Sequence, residues 1–144
     1  MADPAPPAPT LADYPLRTSD KIRYADTDRQ GHVNNAVFAT FLETARAEII
    51  YDRAAPLVEP GTSFVIARLA LDFRAEINWP GAVAIGTRVA HIGRSSFRLA
   101  HGLFQDDRCV ATAEVVIVHV NDATRRSQAL SATALERLSA LQKS

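Results

Sequence analysis

The chain has few of the features that would indicate a particular cofactor or partner. Among its 144 residues is a single cysteine, Cys109, which excludes an internal disulfide framework and a cysteine-rich zinc site. No apolar run reaches about 18 residues, so the sequence predicts no transmembrane helix. The N-terminus has neither the basic nor the apolar region of a signal peptide, so the cytoplasm is the expected compartment.

Charge of one sign is also missing. Sixteen Lys and Arg residues balance sixteen Asp and Glu residues, and a nucleic-acid-binding protein would usually show a basic excess. The four histidines lack metal-ligand spacing, and there is no nucleophile elbow, phosphate-binding loop or dinucleotide fingerprint. An Asp-rich stretch resembles the start of a calcium loop, but Val37 stands where that loop needs a glutamate. We therefore expect no metal and no cofactor.

The length allows one compact domain. Residues 1–15 hold five of the eight prolines and are predicted to be a mobile Pro/Ala-rich tail, followed by a single domain over residues 16–144. Residues 34–52 have no internal glycine or proline and predict one long helix. Its apolar stripe is wide, which indicates that the helix is covered on more than one side, as by a single sheet curling around it.

Alternating polarity predicts a strand over residues 16–26 before the helix and four strands after it, over 64–77, 83–91, 97–103 and 109–120. In the segment 64–77, the alternation places Val65, Leu71, Phe73 and Ile77 on one face. A capping-box pattern at Thr133 predicts a short final helix. This order of elements predicts an α+β fold with an antiparallel sheet.

Polar residues cluster in the turn that leads into the long helix. Asp28, His32, Asn34 and Asn35 lie there, and a helix N-terminus offers free backbone N–H groups and a partial positive charge. Such an end can hold an oxyanion while a nearby carboxylate acts as base or nucleophile. The alternative is purely structural: an asparagine caps the helix, Asp28 forms an Asx turn and His32 lies on the surface.

The segment from Ile22 to Arg46 resembles a known signature. It reads as a strand, Asp-x-Asp, Gly-His-Val-Asn-Asn and a helix carrying Phe-Leu-Glu-x-Ala-Arg. This is similar to the hot-dog-fold acyl-CoA thioesterases of the 4-hydroxybenzoyl-CoA thioesterase type. The likeness extends weakly to about residue 125, including the turn Ile92-Gly93-Arg94-Ser95-Ser96. It implies a curved antiparallel sheet around one long helix, and a homodimer or dimer of dimers with the site between two subunits.

The resemblance also implies roles for individual residues. Asp28 matches the catalytic carboxylate, and the backbone N–H near Asn35 matches the donor to the thioester carbonyl. His32 and Asn34 would be positioning or acid–base residues. The residues expected to bind substrate are Gly31, Arg94, Ser95 and Ser96, the last three near the nucleotide or pantetheine arm.

The function expected from this resemblance is hydrolysis of an acyl-CoA thioester to the free acid and CoA. Three alternatives stay open: an acyl-carrier-protein thioesterase, a non-catalytic dimer that binds acyl-CoA or another small ligand, and a dehydratase on the same fold. Glu43 is set aside as a catalytic candidate because Arg46, three positions on, is its expected ion-pair partner.

Overall fold

A computed structural model describes residues 7–142, which form five strands and two α-helices. In chain order these are β1 (Leu16–Lys21), α1 (Asn35–Ile50), β2 (Thr62–Phe73), β3 (Ala82–Ile92), β4 (Ser96–Gln105), β5 (Arg108–Asn121) and α2 (Ala132–Ala140). The strands form one antiparallel sheet in the order β1-β3-β4-β5-β2. The predicted α+β arrangement, with one long helix against a curved antiparallel sheet, is confirmed.

Helix α1 lies where the sequence predicts it, within two residues at its C-terminal end. Asn34 is the N-cap, and its side-chain oxygen accepts a hydrogen bond of 3.0 Å from the N–H of Ala36. The face toward the sheet carries the large residues Phe38, Phe41 and Leu42, each no more than 2% exposed. Full burial of such side chains stabilises the fold by roughly 1.5–3 kcal/mol each, so packing holds this helix against the sheet.

The core under α1 is divided by a polar layer. One apolar cluster includes Ile85 and Leu103, and a second includes Val89 and Leu99. Between them on the same strands lie Thr87 and His101, whose Oγ1 and Nδ1 atoms are 2.9 Å apart and buried. Burial, and secondarily the charge of Arg46, lowers the pKa of His101 from 6.5 to about 4, so the ring is neutral near pH 7.

The first strand is shorter than predicted. It ends at Lys21 instead of residue 26, because the chain turns into a short 3-10 helix over Tyr24–Asp26. The carboxylate of Asp26 accepts a hydrogen bond of 2.8 Å from the N–H of Arg23, which stabilises this turn. The turn redirects the chain toward the start of α1.

Strand β2 also differs from the prediction, in its end and in its faces. It ends at Phe73, and a bulge between Ile66 and Arg68 exchanges the two faces along its length. Phe64 therefore packs on Phe97, with ring centroids 5.7 Å apart, while Val65 is 46% exposed. Strict alternation predicts Val65 on the same face as Leu71 and Phe73, but the one inserted residue reverses the period of two and puts Val65 on the opposite face.

The segment before β1 packs on the outer face of the sheet. Residues 1–6 of the predicted tail lie outside the described residues, and Leu11–Asp13 form a turn of 3-10 helix. Tyr14 is 5% exposed and lies over Gly86 and Gly102, which face each other across β3 and β4. The packed part of the chain therefore begins before residue 16. No helix among residues 7–142 is long and apolar enough to cross a membrane.

Candidate functional site

A tight turn between residues 27 and 33 presents the first of the predicted site residues. The N–H of Asp28 donates to the carbonyl of His32 (2.8 Å), and the N–H of Gly31 donates to the carbonyl of Asp28 (3.1 Å). Gly31 has a φ of +84°, a left-handed conformation that glycine adopts without a steric penalty. The glycine thus lets the chain reverse and brings His32 back beside Asp28.

The Asp28 carboxylate is anchored through one oxygen. Its Oδ1 accepts hydrogen bonds from the backbone N–H groups of Gln30 (2.8 Å) and His32 (3.4 Å). This is the Asx-type turn that the structural interpretation of the sequence predicted. Within the described chain Oδ2 has no hydrogen-bond partner, and the side chain is exposed. A carboxylate held through one oxygen keeps the other oxygen free to contact water or a bound ligand.

The N-terminus of α1 lies against the same turn. Because Asn34 caps the helix, Asn35 is its first residue, and a backbone N–H at that position has no acceptor within the helix. The helix dipole adds a partial positive charge there. The arrangement therefore provides a hydrogen-bond donor for a developing negative charge next to a carboxylate.

Asp28, His32 and Asn35 line one groove of about 350 Å³. Its apolar wall includes Phe38 and Phe73, whose rings meet edge to face with centroids 4.9 Å apart. The remaining lining residues are Gln30, Val33, Arg74, Ala75 and Glu76. Three of the four predicted catalytic residues are thus in one place, and Asn34 acts beside them as the helix cap.

Glu76 is a charged lining residue that the sequence did not predict, and it contacts one of the predicted catalytic residues. Its Oε2 lies 3.0 Å from Nε2 of His32. The sequence pattern placed Glu76 on the polar face of a strand running to residue 77, whereas the strand ends at Phe73 and the chain turns toward the groove. No local motif links the two residues, because their contact depends on how distant parts of the chain pack.

The predicted substrate-binding turn lies at the other end of the sheet. In the described chain, the carbonyl of Arg94 accepts from the N–H of Leu130 (2.9 Å), and that of Ser95 accepts from the N–H of His119 (2.8 Å). Ser96 begins β4, while the Asp28 groove lies near the opposite end of that strand. A single chain therefore does not bring Arg94, Ser95 and Ser96 together with Asp28.

The described residues outside this groove show no candidate metal site, and a separate cleft lies away from the predicted site residues. Among residues 7–142, no group of three or more His, Cys, Asp or Glu side chains could hold a metal ion. A separate cleft of about 210 Å³ lies between β1, α1 and α2, and it contains none of the predicted site residues. There Arg137 pairs with Asp52 at 3.3 Å and joins α2 to the end of α1.

Comparison with known proteins gives one family. The sequence pattern of the Thioesterase-like superfamily matches residues 22–138. No curated protein sequence matches the chain significantly.

Solved structures give the same fold. A protein from Pseudomonas aeruginosa shares 27% identity with a TM-score of 0.86, covering 96% of this chain and 99% of that one. A thioesterase from Thermus thermophilus, solved with coenzyme A and zinc, shares 31% identity with a TM-score of 0.76, covering 90% and 96%. A predicted thioesterase from Bacillus stearothermophilus shares 24% identity with a TM-score of 0.80, covering 88% and 96%. These likenesses confirm the expected hot-dog fold.

Proposed function

We propose, from the premise that the chain belongs to the Thioesterase-like superfamily, that it hydrolyses an acyl-CoA thioester to the free acid and CoA. One observation carries the proposal: the free oxygen of Asp28 and the N-terminus of α1 at Asn35 line the same groove. Thioester hydrolysis needs a base or nucleophile beside a donor for the carbonyl oxygen. We also propose that the chain is a thioesterase of the 4-hydroxybenzoyl-CoA type, as its sequence motif implies.

The proposed chemistry divides the work between the carboxylate and the helix. Asp28 either takes a proton from the attacking water or attacks the carbonyl carbon itself, and in the second case water then cleaves the acyl–Asp28 anhydride. In both routes the carbonyl oxygen becomes negative and is stabilised by the backbone N–H at Asn35. Removing one such donor typically costs about 3 kcal/mol of transition-state stabilisation. His32 is expected to position the reacting groups or to exchange a proton with them.

Coenzyme A is the proposed leaving group. The Thermus thermophilus thioesterase, 31% identical, was solved with coenzyme A, which supports this choice over other thiols. Arg94, Ser95 and Ser96 are proposed to contact its nucleotide or pantetheine arm, because Arg binds phosphate well. Gly31 is proposed to allow close approach of the ligand to the backbone, since it has no side chain to obstruct it.

A homodimer is part of the proposal, because β2 is an unprotected edge strand. It exposes four large apolar side chains, each 40–51% accessible: Val65, Ile66, Leu69 and Phe73. A long apolar edge of this kind favours pairing with another chain. In an antiparallel pair of β2 strands related by a two-fold axis, the start of one strand lies beside the end of the other.

Such pairing would complete the site. In the sheet register Ser96 is opposite Val118, which is opposite Val65, so the turn at Arg94 lies level with the start of β2. The Asp28 groove lies at the end of β2, beside Phe73. Within one chain, the Arg94 turn and the Asp28 groove are separated by most of the length of β2, roughly 30 Å. A second copy would bring its own Arg94 turn toward the first copy's groove.

The function is tested by thiol release from a panel of acyl-CoA and acyl-carrier-protein substrates. We expect hydrolysis of at least one acyl-CoA, with Asp28→Asn reducing kcat by about 100-fold or more. Glu136→Gln is the matched control, because Glu136 is exposed on α2 and lines neither the groove nor the β2 edge. Hydrolysis of the acyl-carrier-protein substrates alone would support an acyl-carrier-protein thioesterase. Binding of acyl-CoA without hydrolysis would support a non-catalytic dimer that binds the ligand.

The dimer is tested separately by light scattering. The wild-type chain is expected to be a dimer or a dimer of dimers, and Val65→Lys to shift it toward monomer, because a charge on an edge strand opposes pairing. Leu135→Lys is the control, since Leu135 is a 39% exposed apolar residue on α2, away from the edge. A monomeric wild-type chain with full activity would contradict the composite site.

A further inference from the structure

The side chains of Glu76 and His32 meet in the lining of the groove, a contact that the proposed mechanism does not use. The distance between Oε2 and Nε2 is 3.0 Å, and the imidazole side chain is one-third exposed. The pair lies in the lining of the groove that also contains Asp28. It therefore belongs to the candidate site and is not one of the many isolated pairs on a protein surface.

Hydrogen bonds at the two residues that follow Glu76 fix the backbone there. The N–H of Val33 donates to the carbonyl of Ile77 (2.9 Å). The side-chain amide of Gln105, 6% exposed, accepts from the N–H of Asn78 (3.0 Å) and donates to its carbonyl (2.7 Å). These bonds align the segment after β2 with the turn carrying His32, so the position of Glu76 is set by the fold.

His32 is thereby held at two points. Its backbone N–H points to Oδ1 of Asp28 at 3.4 Å, and its ring nitrogen Nε2 meets Glu76. A carboxylate that accepts a hydrogen bond from Nε2–H fixes the orientation of the ring and leaves Nδ1 as the nitrogen available to a bound molecule. Carboxylates orient histidine rings in this way in many catalytic sites.

We propose that Glu76 is a positioning residue: it holds the His32 imidazole in one rotamer at the groove, with Nε2 engaged and Nδ1 free. The catalytic consequence rests on the proposed thioesterase function, while the positioning itself does not. Even a fully charged pair on a protein surface contributes little to folding, so Glu76 acts on the orientation of the ring and not on the stability of the chain.

The first test is structural and needs no substrate. NMR couplings are expected to show one χ1 rotamer for His32 in the wild-type chain and rotamer averaging in Glu76→Ala, with Tm changed by less than about 2 °C. Glu76→Gln keeps an acceptor oxygen at the same reach and should retain the single rotamer. Glu136→Ala, on the exposed side of α2, is the control. A single His32 rotamer in Glu76→Ala would overturn the proposal.

The second test is a kinetic double-mutant cycle on an acyl-CoA that the wild type hydrolyses. Glu76→Ala should lower kcat about 10-fold with KM within about two-fold, and Glu76→Gln should lower it less. In a His32→Ala background, Glu76→Ala should have no further effect, because its action passes through the imidazole. Equal losses in both backgrounds would overturn the proposal. If no thioester is hydrolysed, the proposed function fails, and the rotamer measurement alone decides the role of Glu76.

Discussion

Replacing His101 by glutamine should remove a large part of the acid sensitivity of this fold. His101 is 1% exposed and bonds through Nδ1 to Thr87 in the polar layer between the two apolar clusters. Burial first, and the charge of Arg46 second, lowers its pKa to about 4 from 6.5. Below pH 6.5 the unfolded chain therefore binds a proton at this residue that the folded chain binds weakly.

The size and pH range of the effect follow from that difference. The stability that the neutral imidazole contributes is fully present above pH 6.5 and is lost as the pH falls toward 4, below which both states are protonated. At about 1.4 kcal/mol per pKa unit, the interval from 6.5 to about 4 corresponds to roughly 3 kcal/mol in total. Between pH 7 and pH 5 the loss is about 2 kcal/mol.

Urea unfolding at one fixed protein concentration measures this loss in the wild type and in His101→Gln. Glutamine leaves Thr87 a hydrogen-bond partner but does not titrate, so carboxylates and the other histidines contribute equally to both proteins. Between pH 7 and pH 5 the free energy of unfolding should fall about 2 kcal/mol more in the wild type than in the variant. Equal losses, within about 0.5 kcal/mol, would refute the reasoning from burial.

Three further substitutions test the packing of Tyr14, the N-cap of α1 and the packing of α2. Gly86→Ala would place a methyl group 2.5 Å from the Tyr14 ring; we expect a loss of about 1–3 kcal/mol by thermal unfolding, most of which disappears when Tyr14→Ala is added. Asn34→Ala removes the cap of α1 and should cost about 1 kcal/mol in urea unfolding, whereas Asn34→Asp should cost little. Leu138→Ala, at a fully buried position of α2, should cost about 2–5 kcal/mol in the same assay, while an effect no larger than that of the half-exposed Leu135→Ala would contradict the packing.

Local patterns were sufficient to predict the main elements of the fold. The helix from residue 34 was predicted by the absence of glycine and proline and by its wide apolar face, and its observed start at Asn35 differs by one residue. The final helix was also predicted, but its cap is Ser131 and not Thr133. Caps and periodicity are encoded within a few residues, which is why these elements can be recognised from sequence.

Irregularities in the sheet were not predictable in the same way. The bulge between Ile66 and Arg68 inserts one residue and reverses the faces of β2, and nothing in its alternating sequence marks the insertion. The contact between His32 and Glu76 has the same origin: the end of β2, the turn after it and the side chain of Gln105 together determine it. The half of the site within one turn, around Asp28, was therefore predictable, and the half brought by tertiary packing was not.

Gly86 and Gly102 leave room for the Tyr14 ring on the outer face of the sheet. The segment before β1 therefore packs beside the chain's single thiol, Cys109. Tyr14, Phe104 and Cys109 form one small cluster, and burial raises the pKa of the Cys109 thiol. We expect that release of Tyr14 from the hollow above Gly86 and Gly102 would expose Cys109 to a thiol reagent and leave the groove on the other face of the sheet unchanged. The rate at which a reagent labels Cys109 should therefore measure how often the segment before β1 leaves the sheet.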